Sequence, residues 1–156
     1  MALGDMFLKV DGIKGDSQDT THTNEIDVVN WSWGMRSNTS MGGAGASGKS
    51  TVNELKITKR VDNASTALMS VMRNNGNIKK VVLTVRKAGG NPLEYFMITL
   101  QNARITSIDV ESGTTGEESD LVERLSFAFN RINIEYVPQG ADGQPRGSTT
   151  FMTEID

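Results

Sequence analysis

The amino-acid sequence predicts an all-β domain with one helix. The expected form is an antiparallel two-sheet β-barrel or sandwich, with one flanking α-helix at about 62–75 and a long glycine-rich loop at 37–51. Three observations predict it. Apolar and polar residues alternate through most of the chain, the period-2 signature of half-buried strands. Only one stretch changes to the spacing of an amphipathic helix. Turn residues punctuate the alternating runs at short intervals.

The elements follow in order. Met6, Leu8 and Val10 alternate with Phe7, Lys9 and Asp11, and the run ends in Asp11-Gly12 and Lys14-Gly15-Asp16. The polar stretch from Gly15 to Asn24 reads as a loop. A strand is expected from about Ile26 to Met35, with Val29, Trp31, Trp33 and Met35 on one face and Ile26, Val28, Asn30 and Ser32 on the other. Ser37 to Ser50 is rich in Gly, Ser and Ala and supplies no core residue, so it is expected to be a mobile loop. Strand rhythm returns at Val52 to Val61.

Ala64, Ala67, Leu68, Val71 and Met72 then recur at helical spacing. Asp62 or Asn63 is positioned to cap this helix, and Gly76 to take the left-handed position after it. Strands are expected next at about Ile78–Lys87, Glu94–Gln101 and Ala103–Glu111, the first two joined by the turn Ala88-Gly89-Gly90-Asn91-Pro92. The acidic stretch Gly113 to Glu118 reads as an exposed loop. In the last long strand, Leu121 to Val137, apolar residues move from odd positions (Leu125, Phe127, Phe129) to even ones (Ile132, Ile134, Tyr136). A bulge or bend near Asn130-Arg131 is the expected cause. Pro138 ends the strand, and an irregular tail is expected from about 139.

At 156 residues the chain is expected to be a single domain spanning 1–156, long enough to bury a core without staples. A formal net charge of -3 disfavours a phosphate-neutralising nucleic-acid face. There is no cysteine, which excludes a disulfide framework, a thiolate metal site and a thiol nucleophile. The first residues lack a basic region followed by a long apolar run, so no cleavable leader is expected. No stretch approaches the ~20 apolar residues that span a bilayer, and membrane insertion is not expected.

Catalytic candidates are weak. Gly43 to Ser50 matches G-x-x-x-x-G-K-[ST], which in a nucleotide-binding enzyme would cradle phosphates. That geometry needs a helix directly after the loop, whereas Thr51 to Ile57 runs in strand rhythm. His22 is the only histidine and has no thiol or second imidazole to work with, so it reads as a turn residue. Asp11, Asp16 and Asp19, like Glu117, Glu118 and Asp120, read as solvated surface carboxylates. Trp31 and Trp33 could form a stacking platform but more economically fill core. No catalytic, cofactor-binding or metal-ligating residue is assigned.

Several blocks nevertheless form a pattern. They are Asp5-Met6-Phe7-Leu8-Lys9-Val10, Lys14-Gly15-Asp16-Ser17, His22 with Glu25-Ile26-Asp27-Val28, and Trp31-Ser32-Trp33-Gly34. Thr58-Lys59 with Val61-Asp62, Leu83 to Gly89, Glu94-Tyr95 with Ile98-Thr99-Leu100, Gly116-Glu117-Glu118, Phe127-Ala128, and Tyr136 with Pro138-Gln139 follow in the same order. From about Asp5 to Gly143 the chain resembles the Hcp family, the hemolysin-coregulated proteins of type VI secretion systems. Val137 between Tyr136 and Pro138 departs from the pattern, and so does the tail from Ser148 to Asp156; no further domain is expected after the barrel.

The resemblance implies a non-enzymatic tube subunit. Homohexameric rings would stack into a hollow tube that is assembled in the cytoplasm and expelled without a signal peptide. Implied partners are further copies of the chain, a spike tip protein, sheath and baseplate components, and small effector proteins carried in the lumen. On this reading Asn30 and Ser32, opposite the tryptophan face, are expected to look into the lumen. The loop containing Ser37, Met41, Gly43, Gly45, Gly48 and Lys49 is expected to order against the neighbouring ring. A tail tube subunit of a phage-like contractile particle would share the fold and the assembly.

Overall fold

A computed structural model describes residues 5–37, 50–87, 93–113, 121–140 and 147–155. Nine strands and one helix follow in order: β1 (Met6–Val10), β2 (Ile26–Ser32), β3 (Met35–Ser37), β4 (Ser50–Val52), β5 (Leu55–Arg60), α1 (Ser65–Arg73), β6 (Ile78–Arg86), β7 (Glu94–Ser112), β8 (Leu121–Tyr136) and β9 (Thr149–Glu154). The main sheet runs β5-β2-β1-β6-β7-β8-β9 and is antiparallel throughout. Pairing of β5 with β8 closes its first six strands into a barrel. Closure removes most of the unpaired edge that an open sheet would present. Inside lie Leu8, Val10, Ile26, Val28, Leu55, Ile57, Leu83, Ile98, Leu100, Leu125, Phe127 and Ile132, with Leu68 of α1 packed among them.

Several boundaries and faces differ from the sequence expectation, each for a local reason. The helix is shorter, Ser65–Arg73, and Ala64 occupies its N-cap without a side-chain bond. Asp62 acts two residues before it, where its Oδ1 accepts from the Ala64 amide at 3.0 Å. Past the helix, Asn75 rather than Gly76 is left-handed, with φ 52°, and the Gly76 amide returns to the Val71 carbonyl at 2.8 Å. Asparagine tolerates that conformation because its short amide can bond locally.

In β2 the register to β5 shifts between Val28 and Asn30, leaving Val29 as an extra residue. The bulge exchanges the faces: Ile26 and Val28 point inward before it, and Trp31 packs on the core after it. Val29 is consequently exposed, and Met35, which opens β3 after β2 has ended at Ser32, is exposed as well, so neither packs on the core with the tryptophans.

The two strands expected at 94–101 and 103–111 are one, β7, running through a left-handed Asn102 with φ 52°. The slip expected in β8 is shared with β7. Register holds across it, with Gln101 opposite Arg131 and Ala103 opposite Phe129, and the extra residue is Thr106 of β7, not Asn130. The tail is not wholly irregular. Thr149 to Glu154 forms β9, antiparallel to Arg131–Tyr136. Its β-branched and aromatic residues favour an extended strand once a partner edge is present.

Ser37 and Ser50 face each other at the end of the β3–β4 hairpin, so the glycine-rich segment leaves and returns through strands. A strand, not a helix, follows Gly43–Ser50, contrary to what phosphate binding requires. Met41, Gly43, Gly45, Gly48 and Lys49 lie outside the described residues, as do the expected turn at 88–92 and the acidic stretch 114–120.

Candidate functional site

Four strands, β2, β5, β8 and β7, stand side by side on one wall of the barrel, and their alternation separates two chemistries. Inward, Ile57 lies opposite Leu125, and Leu125 opposite Ile108. Outward, one row runs Asn30, Thr58, Arg124, Asp109 and the next Ser32, Lys56, Ser126, Ser107. These residues line a shallow polar concavity. The structure therefore places Asn30 and Ser32 together on one exposed surface. It also adds Lys56, Arg124 and Asp109, which the sequence reading missed although their period-2 position within β5, β8 and β7 marks them.

Both borders of this wall are open. On the far side of β2, β1 pairs only at Asp27 and Ile26, so Val28–Ser32 meets no strand there among the described residues. On the far side of β7, β6 reaches only as far as Ala103, and 104–112 likewise meets no strand. Directions alternate across β2, β5, β8 and β7, so a strand from another copy placed beside either border could continue the same antiparallel order.

Two ionic clusters lie elsewhere in the barrel, one between the 15–25 segment and the ends of β6 and β7, the other between α1, β5 and β8. In the first, His22 is a buried centre, not a solvated turn residue. Its ring stacks on Phe7 with centroids 4.5 Å apart, while the Arg86 guanidinium lies over the same Phe7 ring at 4.9 Å. Nδ1 lies 3.0 Å from Glu25 and Nε2 2.7 Å from Glu94. Carboxylates only accept, so both nitrogens must donate, and the geometry demands an imidazolium. Burial alone would lower the imidazole pKa, but the hydrogen bonds to Glu25 and Glu94 outweigh it and raise the value.

Arg86 also grips Asp19 with two bonds, of 3.0 and 2.8 Å. Donation from Arg86 holds the Asp19 pKa down at about 2. Asp19 is thus an anchoring residue rather than a solvated one, and it ties the 15–24 segment to the end of β6.

In the second cluster, Lys59 and Glu123 are both fully buried, at 0% exposure. Lys59 Nζ donates to Glu123 at 2.5 Å and to Ser65 Oγ at 3.1 Å, and lies 2.8 Å from Asp62. Ser65 Oγ in turn donates to Glu123 at 2.8 Å. The cluster pins α1 to β5 and β8. Among the described residues no group of three His, Cys, Asp or Glu side chains is arranged to hold a metal.

The fold defines a class: closed antiparallel β-barrels with one flanking helix, here with a polar wall between two open borders. Comparison with known proteins is specific. Residues 7–136 match the family described as type VI secretion system effector, Hcp. Protein hcp1 of Pseudomonas aeruginosa is 42% identical over 146 residues, covering 92% of this chain and 89% of its own. Among solved structures, a type VI secretion system effector from Yersinia pestis is 30% identical with a TM-score of 0.78, covering 97% of this chain and 100% of its own. Hcp1 from Salmonella typhimurium is 32% identical with a TM-score of 0.76, covering 96% and 93%. The chain belongs to the Hcp family, the tube and effector proteins of the type VI secretion system.

Proposed function

We propose that this chain is the ring-forming subunit of the inner tube, with the β2–β5–β8–β7 wall lining its channel. One observation carries the reading: the wall is polar, and its two borders are open and different from each other. A ring needs a heterologous contact, in which one border of each copy meets the opposite border of the next. Joining β2 to β7 around the ring satisfies backbone groups that would otherwise invite uncontrolled pairing. The number six comes from the family resemblance.

Rings then stack. The Ser37–Ser50 segment, with Met41, Gly43, Gly45, Gly48 and Lys49, is assigned to the contact with the neighbouring ring. Asn30 and Ser32, flanked by Lys56, Arg124 and Asp109, face the cargo. Small effector proteins, a spike tip protein and sheath and baseplate components are the proposed partners. Assembly takes place in the cytoplasm and export proceeds through the secretion machine.

The role is structural rather than enzymatic. Lys59 and Ser65, a pairing of the kind used in nucleophilic chemistry, are buried beside Glu123 and out of reach of a substrate. Negative-stain images of the purified chain test the proposal. Annular particles with a central hole are expected, and a persistent monomer at high concentration contradicts it.

A further inference from the structure

An apolar groove runs beside the open half of β7. Met69, Met72 and Arg73 of α1 form one wall, and Ile108 and Val110 of β7 the other. Met69 is 39% exposed and Val110 45%, so the subunit's own core leaves these side chains uncovered. On the opposite border, the extra residue Val29 of β2 is 46% exposed at its bulge.

The two features stand at one level of the sheet. Val28 pairs with Lys59, Lys59 with Glu123, and Glu123 with Val110. We infer that the groove between α1 and β7 is the seat for Val29 of a neighbouring copy, which makes α1 part of the ring interface. This rests on the edge-to-edge ring proposed above and supplies its apolar contact. Displacing a copy sideways along that row brings its Val28 opposite Val110, with the bulged Val29 adjoining. Backbone pairing at a border gives little selectivity by itself, whereas an apolar side chain entering a pocket fixes the register. Methionines suit the receiving wall because their unbranched thioethers adapt to the shape of what enters.

The chain contains no cysteine, so introduced thiols report without background. Within one subunit, positions 29 and 110 are three strand spacings apart, about 14 Å. A disulfide needs Cα atoms within about 7 Å, so oxidised Val29→Cys/Val110→Cys can bridge only between copies. The expected result is a covalent ladder on a denaturing gel that ends at the ring number, while each single variant gives at most dimers. Rings seen by light scattering without cross-linking overturn the groove assignment and leave the ring intact; absence of rings overturns the ring itself.

A second arm reads the helix. Met69→Lys lies on its exposed side, and it should weaken ring formation about tenfold by removing one buried apolar contact per interface. Val29→Glu in the same chain should restore most of the loss by placing a carboxylate beside the new ammonium. Ring formation unaffected by Met69→Lys overturns the inference and assigns the groove to another occupant.

Discussion

The buried pair Lys59–Glu123 offers a sharp quantitative test, because both partners are at 0% exposure and one ammonium serves two carboxylates. Lys59→Met keeps the length of the side chain and removes the charge. Glu123 then stays buried with only the Ser65 hydroxyl as donor, and its Oε2 already has no partner among the described residues. Leaving a buried ion uncompensated costs about 3–5 kcal/mol, a large share of the ~5–15 kcal/mol that stabilises an ordinary domain.

Replacing both partners, Lys59→Met with Glu123→Leu, removes the orphan as well. Asp62 retains access to water, so the double variant should return to within about 2 kcal/mol of the parent or exceed it. Urea unfolding followed by the fluorescence of Trp31 and Trp33 measures both, at several protein concentrations so that assembly is separated from folding. A single-variant cost under about 1 kcal/mol, the range of an exposed pair, would refute the reasoning. So would a double variant less stable than the single one.

Four further outcomes are expected. His22 has a raised folded pKa, so its contribution is complete below its unfolded value of about 6.5 and is lost as pH rises through the folded value; the urea-midpoint advantage of the parent over His22→Gln should shrink from pH 6 to pH 9, and a pH-independent gap contradicts the imidazolium assignment. Gly15→Ala would place a Cβ 2.6 Å from the Glu25 carbonyl oxygen and 2.8 Å from Ile26 Cγ1, so it should lower stability by about 1–3 kcal/mol in the same assay; an unchanged midpoint would show that the 15–24 segment is free to shift. Ser32→Gln should alter retention of effector proteins in a pull-down while leaving rings intact, and identical retention removes Ser32 from the cargo surface. Deleting Gly42–Gly48 should shorten or abolish tubes in electron micrographs without affecting rings; tubes of normal length would take that segment out of stacking.

The sequence's period-2 alternation made the strands legible, and its single 3.6-residue stretch made the helix legible, because both patterns record which side chains meet the core. Bulges were harder to place. The extra residue Val29 exchanges the faces of β2, and nothing in Ile26-Asp27-Val28-Val29-Asn30 distinguishes it from regular strand. β9 was obscured because Pro138 and the glycines after it end one element without revealing that the chain returns to pair with β8.

At the site, Asn30 and Ser32 were visible as the polar alternates of a strand. Lys56, Arg124 and Asp109 join them only through pairings between distant segments. The ionic clusters depended on contacts farther still. Lys59 meets Glu123 and His22 meets Glu94 across long separations in the chain, so each residue taken alone reads as surface.

The central claim is that identical copies complete one another's sheets around a hole. Native mass spectrometry of the purified chain tests it most directly. A dominant particle of six copies of the 16.9 kDa subunit, needing higher protein concentration to form when Val29 or Met69 is made charged, is the predicted result. A spectrum dominated by single subunits across the accessible concentration range, or by pairs that never extend to a closed set, would contradict it.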